Sequence, residues 1–418
     1  MTSSPPVDRP LLQRRVLNNG LVVIVLENPV ADIVSARLLV KAGTGHEARS
    51  QAGLFSLMSS LLTKGTRHLS SLEIAEQVES IGASLGSDAS ADYSLVSLKT
   101  VSADFAPMLA LAAEIIRYPS FAEAELSLEQ RLTLQGIRSM QEQPFTVAYN
   151  ALRAAMYGEH PYGLPGIGTE ETVTQLTRDD LVEAHQAYFR PDHCVMVIAG
   201  RITTEAAIAL ADQNFGDWAG PAHPVSPLNY PAVPTAATHT TIAQETNQSV
   251  VIVGYQTPSV KDAAYAPLKL ISTYLGSGLS SRLFVELREK RGLAYDVSAF
   301  YPTRLGLSQF VGHMGTAPDN QTIALKGLRS EIERLGKVGL TAAELQASKN
   351  KLLGQYALGK QTNAQLGQLL GWYEVLGLGV EFDAVFQDMI RAVSEDMVKT
   401  VAQQYLQDPF TVVLGPHS

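Results

Sequence analysis

In 418 residues there is one cysteine, Cys194. No intrachain disulfide can form, and no cysteine-based zinc site can be assembled. Cys194 lies in CVMVIAG, the composition of a buried strand, where a thiol acts as a small apolar group rather than as a nucleophile. No apolar run reaches the roughly 20 residues that span a bilayer. Blocks of Lys or Arg are also missing and the net charge is -9, which argues against the basic face of a nucleic-acid binder. His46, His68, His160, His185 and His193 are scattered, with no H-x-x-x-H pairing among them. The first residues, MTSSPPVDRPLLQRR, lack the apolar core of a secretory leader. The expected compartment is therefore the cytoplasm, or the periplasm if a leader has been removed.

The remaining composition, 45% hydrophobic and 17% charged, is that of a globular chain long enough for more than one core. Gly20–Glu27, Ile33–Ala42 and Tyr93–Val101 have the aliphatic content or alternation of strands. The spacing of Leu54, Leu57, Met58, Leu61 and Leu62 predicts a helix over about Gln51–Thr63. Further helices are expected at Ser70–Ile81, Phe105–Arg117, Glu123–Met140 and Arg178–Phe189. No element is assigned between Pro144 and the loop-rich HPYGLPGIG. A proline-rich stretch with Pro221, Pro224, Pro227, Pro231 and Pro234 suits an extended linker. Beyond it the pattern resumes, with a strand in SVVIVGYQT, a helix in YAPLKLISTYLG, and helices at Gln321–Lys337, Ala342–Gln361 and Ser394–Leu406. A last strand is expected at Phe410–Leu414.

Two segments repeat one order. TRDDLVEAHQAYFRPDHCVMVIAG and SEDMVKTVAQQYLQDPFTVVLG each run helix, tyrosine, Pro-Asp or Asp-Pro, strand, glycine. Tyr188 and Tyr405 occupy equivalent places, which implies two related halves. The expected architecture is α+β: two homologous α/β-sandwich-like domains, residues 1–219 and 239–418, joined by a linker at 220–238. Each is expected to hold a mainly antiparallel mixed sheet covered by helices on one side.

The densest local pattern is Gly276–Tyr295, GSGLSSRLFVELREKRGLAY. It predicts a glycine-serine turn, a short helix capped by Ser280 or Ser281, a stop at Gly292 and the start of a strand. Leu283 and Leu287 mark one helix face, and Glu286 and Lys290 stand at a favourable four-residue spacing on another.

The segments GLVVIVLENP, HPYGLPGIGTEETVTQL and SSRLFVELREKRGLAY, in this order and spacing, resemble the pitrilysin/insulysin family of inverted zinc peptidases, in particular its two-domain branch that is similar to the mitochondrial processing peptidase. The resemblance covers nearly the whole chain and implies the metallopeptidase fold shared by LuxS and that peptidase. Active members carry H-x-x-E-H on a helix of the first domain and a ligand glutamate on a later helix. Here the frame is GLFSLMSSLLTKGT, so Ser56, Ser59 and Ser60 stand where His, Glu and His would be. Glu129 is kept on the later helix, while the ligand position is Gly136. The resemblance therefore implies no metal in this chain, because serine is a poor zinc ligand and glycine has no side chain. A site rebuilt from other histidines would need a convergence that their spacing does not provide.

The family also uses an Arg and a Tyr seven residues apart, which face the zinc across a chamber; here they correspond to Arg288 and Tyr295. A guanidinium can hold a substrate carbonyl and a phenol can donate to the oxyanion of a tetrahedral intermediate. The competing account is a surface ion pair for Arg288 and sheet packing for Tyr295. Gly276, Ser277 and Gly278 either let a substrate backbone pass close or position the helix. Glu47 and the His160–Gly163 segment are expected to be structural. The resemblance implies a zinc-free subunit whose partner is a homologue with intact H-x-x-E-H and zinc, acting on peptides or unfolded chains. An inert assembly subunit, or a peptide-binding module of the same fold, is the alternative.

Overall fold

The computed structural model describes residues 11–220, 223–225 and 229–416. Pro221 and Pro227 of the expected linker lie outside the described residues. The first half runs β1 (Leu11–Val16), β2 (Val22–Glu27), β3 (Val34–Val40), α1 (Leu54–Leu62), α2 (Ser71–Glu79), β4 (Ser84–Ala89) and β5 (Ser94–Thr100). It continues through α3 (Phe105–Arg117), α4 (Glu123–Gln141), α5 (Pro144–Tyr157), α6 (Glu170–Gln175), α7 (Arg178–Tyr188), β6 (Cys194–Gly200) and α8 (Thr204–Phe215). The second half begins with β7 (His239–Ala243), β8 (Ser249–Thr257) and α9 (Tyr265–Gly276), then a π-helical turn (Phe284–Glu289), β9 (Asp296–Phe300) and β10 (Ser308–Thr316). It ends with α10 (Gln321–Val338), α11 (Ala342–Leu358), α12 (Asn363–Val375), α13 (Phe382–Ala392), α14 (Glu395–Tyr405) and β11 (Phe410–Gly415).

The strands form two mixed sheets, ordered β1-β2-β6-β3-β5-β4 and β7-β11-β8-β10-β9. In each, one pair is parallel, β2 with β6 and β7 with β11, and every other pair is antiparallel. Removing β1 leaves the same five-strand order twice. The Tyr188/Tyr405 repeat is the visible part of this duplication, since α7 and α14 end on those tyrosines and feed β6 and β11.

Helices cover both faces of each sheet, not one as the sequence suggests. On its inner face the first sheet packs against α1, α3, α7 and α8 through Val23, Val25, Phe55, Met58, Ile115 and Leu181. Its outer face, Val22, Ile24, Leu39, Val195 and Val197, is covered by Leu370 and Val375 of α12, which comes from the second half. Reciprocally, Ala148, Leu152 and Met156 of α5 cover Val250, Ile252, Val412 and Leu414 of the second sheet. A Cβ at Gly371 would meet Leu39 at 2.4 Å, and one at Gly254 would meet Met156 at 2.4 Å, so glycine at both places is what lets helix and sheet approach. The linker is also fastened. Tyr230 stacks on His160 at 4.3 Å, and the Pro234 carbonyl accepts from Gln256 at 2.8 Å.

Helix α1 starts later than the periodicity predicts. Gly53, at φ +94°, takes the cap position without a side chain. The Glu47 carboxylate replaces the missing cap by accepting from the N–H groups of Gly53 (2.9 Å) and Phe55 (2.8 Å). Burial pushes this carboxyl up to about 8 against the pull of those two bonds. His160–Gly163 is structural as well, because the Tyr162 hydroxyl bonds Asp92 and Arg153 donates to the Tyr162 carbonyl at 3.0 and 2.8 Å. Cys194 is fully buried and its thiol is pushed up to about 12. Among the described residues no helix is long and apolar enough to cross a membrane.

Candidate functional site

The stretch Gly276–Tyr295 is built outward from the second core. Gly276 ends α9 where a Cβ would lie 2.1 Å from the Ala299 nitrogen, and its carbonyl accepts from the Ser298 hydroxyl at 3.0 Å. The turn that follows is held by α11. The Lys351 ammonium donates to the Ser277 carbonyl and to the Ser280 hydroxyl, and the Gln355 amide donates to the Ser277 hydroxyl at 2.8 Å. Gly278 adopts φ +72°, a conformation that glycine takes at little cost. These contacts hold the turn Gly276–Gly278 in place.

The expected serine cap does not form. Ser280 is engaged by Lys351, and the Ser281 hydroxyl is buried with no hydrogen-bond partner among the described residues. The helix is anchored by Leu283 and Leu287, both fully buried, and widens into the π-helical turn in which the Lys290 N–H reaches the Val285 carbonyl at 3.0 Å. Such widened turns are rare and recur at functional sites. Gly292, at φ +61°, reverses the chain as expected, with its N–H on the Arg288 carbonyl at 3.1 Å. The Tyr295 N–H then bonds the Gly315 carbonyl at 2.9 Å and β9 begins.

Three arginines other than Arg288 could have shared its environment or its role, and the structure separates them. Glu331 of α10, only 5% exposed, receives Arg282 Nε at 2.9 Å and Arg291 at 2.8 Å. Arg282 also meets Glu286 at 3.2 Å, and Glu286 meets Lys290 at 2.7 Å. Arg329, further along α10, pairs with Glu333 at 2.9 Å. Arg288 is exposed and pairs with no carboxylate among the described residues; its guanidinium sits 5.0 Å from the centre of the Phe284 ring. Tyr295 is 61% exposed on a backbone pinned by the sheet. Among the described residues Arg288 thus forms no surface ion pair, and the Tyr295 side chain is exposed beside the sheet.

The positions corresponding to the zinc motif lie on α1 and α4, with Ser59 buried and Ser56, Ser60 and Gly136 half-buried. Ser59 is 2% exposed and its hydroxyl has no hydrogen-bond partner among the described residues, while the Ser60 hydroxyl donates to the Ser56 carbonyl at 3.2 Å. A Cβ at Gly136 would meet nothing within 4 Å, so that face of α4 is open. Glu129 pairs with Lys64 at 3.2 Å, tying α4 to the end of α1. Three hydroxyls and a glycine do not fit zinc, whose protein ligands are imidazole, thiolate and carboxylate. Among the described residues no three His, Cys, Asp or Glu side chains converge. His46 packs on Tyr188 at 5.5 Å and His193 at 6.2 Å, and burial lowers each to about 4. No hydrogen bond or ion pair among the described residues joins Arg288 or Tyr295 to α1 or α4.

Residues 22–170 match the description Insulinase (Peptidase family M16), and residues 175–352 match Peptidase M16 inactive domain. The chain belongs to peptidase family M16. It is 25% identical to an uncharacterized zinc protease, YmxG, of Bacillus subtilis over 97% of this chain and 98% of that one. It is 26% identical to the uncharacterized zinc protease Rv2782c of Mycobacterium tuberculosis over 97% and 93%. The solved structure of a peptidase M16 inactive domain from Pseudomonas fluorescens superposes with a TM-score of 0.90 at 25% identity, covering 97% of this chain and 98% of that one. A protease from Helicobacter pylori shares the fold, with a TM-score of 0.92 at 23% identity over 97% and 100%. Within this M16 chain the sequence located Arg288 and Tyr295 but gave no sign of Glu331 or Lys351, which lie 43 and 63 positions beyond Arg288 and fix the turn that presents them.

Proposed function

We propose that this chain is the zinc-free subunit of a heteromeric M16 endopeptidase, completing a site whose metal belongs to a homologous partner with intact H-x-x-E-H. The observation that carries this is selective freedom within one segment: Arg282 and Arg291 are committed to Glu331, whereas among the described residues the polar groups of Arg288 and Tyr295 take no partner on a rigid backbone. When bound in the partner, zinc polarises the scissile carbonyl and activates the attacking water. The work of this chain is to hold the peptide. Arg288 orients a substrate carbonyl through its planar donors, and the Tyr295 hydroxyl donates to the oxygen that becomes negative in the transition state. Such donors need no rearrangement at the moment of reaction, because the π-helical turn and the Gly315 bond already fix their backbone. Ser277 and Gly278 border the path of the peptide. The active unit is thus a heterodimer enclosing peptides or unfolded polypeptides.

The test is to co-purify the chain with an H-x-x-E-H homologue and follow an internally quenched peptide with each subunit alone and with the mixture. The mixture is expected to be far more active than either. A mixture no more active than the partner alone defeats the proposal and leaves an assembly or peptide-binding role.

A further inference from the structure

Away from the π-helical turn, a cavity of about 600 Å³ opens among the end of α3, the start of α7 and the segment after α8. Its lining includes Arg67, Arg117 and Arg178 and no acidic side chain, in a chain whose net charge is -9. Like charges gathered this way repel unless something negative answers them. Among the described residues the one carboxylate paired with these arginines is Asp217, which meets Arg117 at 2.8 Å from outside the lining and is itself 77% exposed. About two positive charges are left over.

The three guanidiniums are already positioned. Arg67 and Arg117 both lie over the Tyr118 ring, at 5.2 and 5.1 Å from its centre. Arg117 donates to the Asn214 carbonyl at 2.7 Å, and Arg178 to the Ser120 carbonyl at 3.1 Å. Each guanidinium carries five N–H donors, so most remain available. Between them Phe121, buried at 2% exposure, holds φ +45°, a strained conformation of the kind that collects at ligand sites. The rest of the wall mixes Val182, Phe189 and Trp218 with the polar Ser120, His185 and Gln186.

We propose that this cavity binds a phosphate monoester of a small organic molecule. A phosphoryl group carries about -1.5 to -2 charge at pH 7, which matches the uncompensated charge better than a single carboxylate does. Its oxygens suit the planar forks of arginine. The volume exceeds that of phosphate alone, and Val182, Phe189 and Trp218 offer contacts for an organic body. The site is independent of the proposed peptidase role, and its test uses the intact isolated chain.

Phenyl phosphate is titrated calorimetrically at low salt, with benzoate as the monoanionic control and inorganic phosphate to separate the headgroup from the body. One saturable site per chain is expected, with benzoate and the Arg67→Gln variant each weakening binding by about tenfold or more, the scale of one charged hydrogen-bonding partner. Arg67 is exposed and, among the described residues, its side chain makes only the ring contact, so Arg67→Gln keeps its thermal midpoint and tests binding without unfolding. Arg178→Gln, checked for the same midpoint, should weaken binding likewise. Absence of saturable binding up to about 10 mM, equal affinity for benzoate, or full affinity in Arg67→Gln would overturn the assignment.

Discussion

Arg288 and Arg291 stand three residues apart in one turn, and their removal should have opposite effects. Arg291→Ala deletes a 2.8 Å ion pair to Glu331, whose side chain is 6% exposed. Because Arg291 is itself 42% exposed and Arg282 still holds Glu331 at 2.9 Å, the discounted loss of stability is about 1–2 kcal/mol. Arg288→Ala removes an exposed side chain that lies over the Phe284 ring at 5.0 Å, a stability cost of only ~0.5–1 kcal/mol. In the complex with the zinc-bearing homologue, however, Arg288→Ala should lower kcat/KM by about 10²–10³-fold, the effect of losing one donor at a developing charge. Urea midpoints of the isolated chain and kcat/KM of the mixed subunits measure the two quantities separately. Tyr295→Phe should behave as Arg288→Ala does, with the zinc content of the partner unchanged. Wild-type turnover in Arg288→Ala, or a greater loss in Arg291→Ala under conditions where both are folded, would refute the division of labour.

Three further outcomes are expected. Metal analysis of the isolated chain should find no stoichiometric zinc, whereas the combined Ser56→His, Ser59→Glu, Ser60→His and Gly136→Glu variant should take up about one equivalent, since the face of α4 at Gly136 has room. A chain cut within residues 229–238 should not yield two soluble halves, because each half bares the sheet face that the helix of the other covers; dye binding by the separated halves and its loss on co-expression check this. Burial lowers His185 to about 4 from an ordinary value of 6.5, while its ring bonds the Ile116 carbonyl at 2.8 Å. A base depressed on folding contributes stability above about 6.5 that is lost as pH falls toward 4, of order ~3 kcal/mol here, so His185→Gln should flatten the stability profile measured by urea titration across that window.

Much of the fold was legible where an element has one core face. Phe105–Arg117 shows its period cleanly and forms with the expected limits. Helix α12 escaped notice because it has two apolar faces: Leu370 and Val375 enter the outer face of the first sheet while Tyr373 and Leu376 enter the second core. An element buried on opposite sides has no polar stripe to reveal its period. Its counterpart α5 went unassigned between Pro144 and His160, and its partners Val250 and Val412 are roughly a hundred positions or more away. At the site, family spacing singled out Arg288 and Tyr295, but nothing local distinguishes Arg288 from Arg282 or Arg291. That choice is made by Glu331, which the fold brings up from another helix. The serine cap failed for a similar reason, since Lys351 of α11 claims the turn.

The reciprocal exchange of α5 and α12 has a mechanical corollary. Parting the two sheets would strip Leu152 and Met156 from one and Leu370 and Val375 from the other at once, so the chain behaves as a single stiff shell with no internal hinge along that seam. In the proposed heterodimer, breathing that admits a polypeptide would then occur at the rim where the two chains meet. The rate of such opening would be set by the contacts between chains and not by the core of this one.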